Sequence, residues 1–336
     1  MRRLVGLMVA AAVAGAAGFA SAEPLKLRIQ YPSLPGHLTP MMPLAPAGVL
    51  RHYGKSYVIE AVYMLGSTPA LQAMAANELE IASFTPSVLP LAVKEAKLDV
   101  RVFAQVITTD YPGYSGAKFW VRKDEIAKIE DLKGKVIAVN AHGSQIDAAQ
   151  KLVMRRHGLK DGTDYQTIEL RLPAMLAALQ AKRVNAVYLI RPFDLMAGKD
   201  PNLKPLFGMG DAFGPSETGI YAAKTDWIAK NRAVLLDFLE DNIRMRRWAA
   251  DPKTRMDAVK ITAQVMKQPV ENLAPWAFTT QDTSYREPSA RPDVARIQKN
   301  IDDMVEAGVL TVALPAKDYV DLTIAEEAAK RVDRGM

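Results

Sequence analysis

Past Pro24, Leu25-Lys26-Leu27-Arg28-Ile29-Gln30 alternates apolar and polar residues with the period of two that a half-buried strand requires. The same criterion predicts strands over Tyr57 to Tyr63, Leu79 to Phe84, Val100 to Ile107, Lys135 to Asn140, Thr167 to Leu172 and Val184 to Ile190. Helix starts lie between them. In Gly66-Ser67-Thr68-Pro69, Thr68 is placed to cap a helix ending near Asn77, with Pro69 at its first position, and Thr85-Pro86 repeats the device. Ser144-Gln145-Ile146-Asp147 reads as a capping box for a helix that stops at Gly158, and Pro173 opens an Ala/Leu/Met helix. The rest of the chain reads as mostly helical: Trp227 to Trp248 is amphipathic, and Val294, Ile297, Ile301, Met304 and Val305 keep helical spacing before Gly308.

Strands separated by helices predict an α/β protein with parallel sheets covered on both faces. Two segments rich in Gly and Pro break the rhythm, Asp110 to Gly116 and Gly208 to Glu217. Read as crossovers, they divide the chain into two lobes: residues 23–112 with 215–336, and residues 113–214. Open α/β sheets bind ligands beyond the carboxyl ends of their strands, which directs attention to the loops between strand and helix.

The first 22 residues add a location. Arg2-Arg3, an apolar Ala/Gly-rich run from Leu4 to Phe19 and the small residues Ala20-Ser21-Ala22 form a signal-peptide pattern, cleaved after Ala22. The protein is therefore expected to be exported and soluble. It contains no cysteine. Disulfides, a lipidated cysteine, thiolate nucleophiles and Cys-bound metals are all excluded, and a free periplasmic protein fits best. The formal net charge of +6 includes Arg2 and Arg3. Basic pairs such as Arg155-Arg156 and Arg246-Arg247 read as solvated helix faces rather than a nucleic-acid surface.

Catalytic signatures are missing. His37, His52, His142 and His157 have no metal-ligand spacing, and no Gly-x-Ser-x-Gly, P-loop or Gly-x-Gly-x-x-Gly motif occurs. No cofactor is expected. What the loops offer is hydroxyls, helix starts, aromatic rings and one arginine. Ser67, Thr68, Thr85 and His142-Gly143-Ser144 precede predicted helices, where exposed N–H groups favour anions; the hydroxyls serve either as caps or as ligand contacts. Arg191 ends an apolar strand and either grips a carboxylate or sulfonate or pairs with Asp194. Tyr31, Phe84, Tyr111 and Tyr114 sit on the same loops and suit stacking on a planar ligand or packing at a hinge. Ser33, His37 and Thr218 complete the candidate set, while Trp276 and Tyr285 read as core anchors.

The ordered series Gly66-Ser67-Thr68-Pro69-Ala70-Leu71, Leu79 to Phe84, Asp131-Leu132-Lys133-Gly134-Lys135 to Val139, Leu176 to Leu179, Val184-Asn185-Ala186-Val187 and Pro192 resembles the nitrate/sulfonate/taurine-type (NMT1-like) periplasmic solute-binding proteins of ABC importers. The resemblance implies a type II-like, two-lobed fold that closes by a hinge over one small molecule, a permease partner in the inner membrane and a monomeric state. The family often reads Asp-Ala where this chain has Asn185-Ala186, and Glu where it has Arg191. The expected ligand is a small organic anion, a sulfonate or carboxylate, possibly aromatic. The alternatives are a thiamine-precursor pyrimidine, or an enzyme or sensor on the same fold; relatives that rely on an active-site cysteine are not matched.

Overall fold

The computed structural model describes residues 23–335. The expected signal peptide, residues 1–22, lies outside the described residues. The alternation at the start of the mature chain forms strand β1 (Leu25–Tyr31), whose Leu27 and Ile29 are buried while Lys26 faces solvent. It pairs in parallel with β2 (Tyr57–Tyr63), with Leu25 opposite Tyr57 and Tyr31 opposite Tyr63. Helix α1 (Ser67–Ala75), β3 (Ala82–Phe84), the one-turn helix α2 (Val88–Pro90) and β4 (Val100–Thr109) follow. The chain then builds a second sheet from β5 (Lys118–Arg122), β6 (Val136–Val139), α3 (Gln145–Arg156), β7 (Gln166–Glu169), α4 (Leu172–Gln180), β8 (Ala186–Leu189), α5 (Phe193–Ala197) and β9 (Leu203–Gly208). Through α6 (Met209–Phe213) it returns to the first sheet as β10 (Ser216–Lys224). It ends in α7 (Thr225–Ala250), α8 (Arg255–Met266), α9 (Val294–Glu306) and α10 (Leu322–Arg334).

A parallel bridge between Ile29 and Ile81 places β1 beside β3, so the first sheet runs β2-β1-β3-β10-β4. The second runs β7-β6-β8-β5-β9. The expectation of parallel sheets does not hold, because each sheet contains antiparallel pairs. The strand that enters each sheet from the other lobe, β10 or β5, is antiparallel to both of its neighbours. Those strands and β9 escaped the pattern analysis for local reasons. β5 is five residues with a cation at each end, β9 contains Pro205, and β10 contains Gly219. Pro205 is tolerated because β9 is an edge strand with an irregular register opposite Trp120.

Several side chains expected at the surface or site belong to the interior. Phe84 is fully buried in the core under the first sheet. His37 is 1 % exposed; its Nδ1 lies 3.1 Å from the Ser33 carbonyl and its Nε2 2.8 Å from Ser83 Oγ, so neither nitrogen is free for a ligand. Arg246 is buried as well. It donates to Asn242 Oδ1 and Gln105 Oε1, both at 2.8 Å, instead of lying on a solvated face. Trp276 is a core anchor as expected, 2 % exposed, whereas Tyr285 is only half-buried, stacked on Tyr111.

Asp241 on α7 is fully buried and accepts hydrogen bonds from the N–H groups of Arg51, His52 and Tyr53 and from the Tyr57 hydroxyl, at 2.7–3.0 Å. One carboxylate thus fixes the approach to β2. Asp241→Ala leaves these donors unpaired and is expected to cost about 3–5 kcal/mol in urea denaturation; a loss below about 1 kcal/mol would mean that the loop holds without it. His37 gives a pH signature. Burial pushes its pKa down to about 3. As pH falls below the usual value near 6.5, the unfolded chain takes up a proton that the folded chain refuses, and stability drops toward pH 3. Between pH 7.5 and 5.0 the wild type should lose about 1.5–2 kcal/mol more than His37→Gln, and equal losses would contradict a neutral buried imidazole.

Candidate functional site

At the carboxyl edge of the first sheet, two helices begin close together. The cap of α1 is Gly66 in a left-handed conformation (φ +85°), with no side-chain hydrogen bond. Thr68 does not cap it; the helix starts one residue earlier, leaving Thr68 exposed in the first turn. The hydroxyl of Ser67 turns instead toward the loop after β3, where it accepts from the Thr85 N–H at 3.0 Å and lies 3.3 Å from Thr85 Oγ1. Thr85 Oγ1 is 2.9 Å from Ser87 Oγ, and Ser87 is the cap residue of α2, again without a side-chain cap bond. Neither helix has an acidic residue in its first turn. Three linked, half-exposed hydroxyls thus border two helix starts; at α2 the Val88 and Leu89 N–H groups donate to the Thr85 and Pro86 carbonyls at 3.0 and 3.1 Å, while the first N–H groups of α1 have no intrahelical partner. Beside them Tyr63 and Leu65 are 61 % and 60 % exposed, and the Tyr31 ring packs against Tyr63 at 5.5 Å.

The corresponding edge of the second sheet is built differently. Ser144 caps α3, accepting from the Asp147 N–H at 3.2 Å and donating to Asn140 Oδ1 at 2.8 Å. The return half of the expected capping box goes one residue further back: Asp147 Oδ2 accepts from the Gly143 N–H at 2.8 Å, while Lys151 holds the same oxygen at 2.8 Å. Glu169, at the end of β7, accepts from the His142 N–H at 2.6 Å. Two amides expected to attract an external anion are therefore already occupied by the protein's own carboxylates.

Arg191 takes the pairing role of the two considered. Its guanidinium is bonded to Asp194, and its Nε and Nη2 donate to the Gln281 carbonyl at 3.2 and 3.1 Å. Burial lowers its pKa. Gln281 belongs to a segment fixed along the first sheet, since Tyr285 exchanges two backbone hydrogen bonds of 2.8 Å with Thr108 of β4. Ser115 joins the same segment through its N–H to the Thr280 carbonyl at 2.9 Å. Tyr111 stacks on Tyr285 at 3.7 Å and Tyr114 meets both edge-on, so the crossover tyrosines pack on each other. Ser33 is exposed, and the Thr218 hydroxyl is buried without a partner. At Asn185 the amide accepts from the Val136 N–H at 3.0 Å and donates to Glu125 at 3.2 Å, so the departure from Asp here concerns packing within lobe 2. The structure thus gathers Ser67 and Thr85 with Ser87, keeps His142, Gly143 and Ser144 as a self-satisfied cap, and withdraws Phe84, His37 and Arg191 into structural contacts. Ser87, Glu169 and Gln281 carried no motif that would have marked them. A surface hollow of about 490 Å³ lined by Lys151, Arg155, Lys160, Asp161 and Tyr165 lies at the far end of α3, away from these strand ends. Among the described residues no group of three or more His, Cys, Asp and Glu is placed to hold a metal ion, and no helix is long and apolar enough to cross a membrane.

Residues 54–190 match the family model described as ABC transporter, phosphonate, periplasmic substrate-binding protein. No curated protein matches the sequence. Among solved structures, the aliphatic sulphonate-binding protein SsuA of Escherichia coli is similar at a TM-score of 0.67 and 20% identity, covering 90% of this chain and 99% of that one. The nitrate-binding protein NrtA of Synechocystis PCC 6803 gives a TM-score of 0.70 at 12% identity over 93% of this chain and 90% of its own. The desulfurization enzyme DSZB also matches, with a TM-score of 0.62 at 13% identity over 91% of this chain and 99% of that one. The chain has the two-lobed periplasmic-binding-protein fold, and residues 54–190 place it beside the substrate-binding proteins of ABC importers.

Proposed function

We propose that this protein is the periplasmic receptor of an ABC importer and captures a small organic anion, a sulfonate or carboxylate with an apolar or aromatic body. The observation that carries the reading is the hydroxyl chain Ser67–Thr85–Ser87 at two acid-free helix starts, flanked by exposed Tyr63 and Leu65. The hydroxyls and the first-turn amides of α1 would hold the anionic group. Tyr31, Tyr63 and Leu65 would cover the apolar part. The lobes would be residues 23–112 with 215–336 and residues 113–214, moving about the two crossovers, and the closed form would be presented to a membrane permease. We read the protein as a monomer cleaved after Ala22, with no cofactor, no nucleic-acid partner and no chemistry of its own. The similarity to a desulfurization enzyme is one of fold, and turnover of a bound compound would overturn the receptor reading.

A thermal-shift screen of the mature protein tests the ligand class, using alkyl and aryl sulfonates, aromatic carboxylates, nitrate and pyrimidines. A ligand at a hundred times its dissociation constant stabilises by about 2.7 kcal/mol. Stabilisation by an organic anion is expected; stabilisation by a pyrimidine alone would move the site to the Tyr31–Tyr63 pair as a stacking surface for a neutral heterocycle. Ser67→Ala should weaken binding of the organic anion about ten- to a hundredfold by isothermal titration, the range for losing a hydrogen bond to a charged group. Arg191→Ala should leave the contact with the anion intact, and a greater loss in Arg191→Ala than in Ser67→Ala would return the arginine to the binding site.

A further inference from the structure

Asp110 is the first residue beyond β4, and its backbone is left-handed (φ +52°). Its side chain folds back against both crossovers. On the outgoing segment it lies over Gly116, where an added Cβ would overlap the carboxylate. On the return segment it lies over Gly210, where a Cβ would sit 2.8 Å from Oδ1 and 3.0 Å from the Asp110 Cβ. The Gly210 backbone packs directly against the carboxylate, whose Oδ2 is buried and accepts no hydrogen bond. Three further titratable groups face it: Lys118 from β5, Asp211 from α6 and Tyr188 from β8. Lys118 is engaged with Asp211 at 3.6 Å and packs on Gly208, where a Cβ would come within 2.6 Å of its Cδ. Gly116, Gly208 and Gly210 are thus the space that this cluster needs.

We propose that Asp110 is a proton-operated pin between the two crossovers: neutral, it holds the lobes in the arrangement seen here; ionised, it favours one in which its second oxygen reaches water or Lys118. An unpaired buried carboxylate oxygen is costly, and a neutral carboxyl removes most of that cost. Burial is the main cause raising the Asp110 pKa to about 6, with Lys118 opposing and Asp211 reinforcing it. The sign follows. Protonation below about pH 6 favours the arrangement seen here, and ionisation above it disfavours that arrangement. Because the side chain is wedged against both crossovers at once, relief requires the crossovers to separate, which is lobe movement. The pin makes the resting lobe angle, and with it the affinity for any ligand taken up by closure, depend on external pH.

The inference rests on the lobe movement of the proposed receptor and on no particular ligand, so it is tested without one. The chain has no cysteine, so Lys94→Cys and Arg183→Cys supply the only two labelling sites, one exposed position on each lobe. The inter-lobe distance is read by double electron–electron resonance at pH 4.5 to 7.5. A shift with a midpoint near pH 6 is expected in the wild-type background, and Asp110→Asn should hold the low-pH distance throughout. Lys118→Met, which needs no change at Asp110, should move the midpoint to higher pH by removing the opposing cation. A constant distance in the wild-type background, or an unchanged titration in Asp110→Asn, would overturn the pin. If butanesulfonate still changed the distance in that case, the receptor reading would stand without the switch.

Discussion

The architecture depends on one constraint: each sheet is completed by a strand that arrives from the other lobe. β10 lies between β3 and β4, and β5 between β8 and β9. Both run antiparallel to their neighbours because the chain enters at the strand end that faces the other lobe. The crossovers are therefore rooted inside hydrogen-bonded sheets rather than tied to their surfaces. Neither lobe can slide along the other without pulling a strand out of register, and a slip by one residue would turn buried Ile220 or Phe119 outward. Rotation about the two crossovers would leave both sheets intact.

The two lobes share a strand order but not an electrostatic design. At α3 the protein supplies its own anions, Glu169 and Asp147, to the amides that precede the helix. At α1 and α2 it supplies only hydroxyls. A helix start already satisfied by a carboxylate has little more to gain from a second anion, whereas a start bordered by neutral hydroxyls keeps its field available. If the ligand is the proposed anion, the lobes would be unequal partners, the first sheet receiving its charge and the second the rest of the ligand.

Much of the fold was legible where the pattern was local. The bounds of β2 were read to the residue, and those of β1 and β6 to within one at either end, because alternation or a dense apolar run with clear turns on both sides is decisive. The strands β5, β9 and β10 were not, since their stability comes from neighbours distant in sequence that a short window does not contain. The site was legible as a set of loops and illegible in its detail. Ser67 and Thr85 stood out as hydroxyls before helices, but their mutual hydrogen bond, and the recruitment of Ser87, depend on how two turns 18 residues apart are juxtaposed. Arg191 stood out as a charge at a strand end, and the protein partners it has are Asp194 three residues on and a carbonyl 90 residues away. A charge leaving an apolar strand announces that it needs a partner, not whether the partner is a ligand.

That arginine has a consequence for closure. Gln281 lies on a segment fastened to the edge of β4, while Arg191 lies two residues beyond β8 of the other sheet, so the Arg191–Gln281 contact links the two sheets beside the two covalent crossovers. A hydrogen bond to a charged group is worth about 1.5–3 kcal/mol. Breaking it on lobe rotation would bias the equilibrium by roughly ten- to a hundredfold toward the arrangement in which it is made. A ligand that favoured the other arrangement would have to supply that difference from its own contacts, which lowers its apparent affinity by the same factor. If the lobes rotate as proposed, the positive charge at this strand end would act on affinity through the lobe equilibrium, whether or not it also meets the ligand.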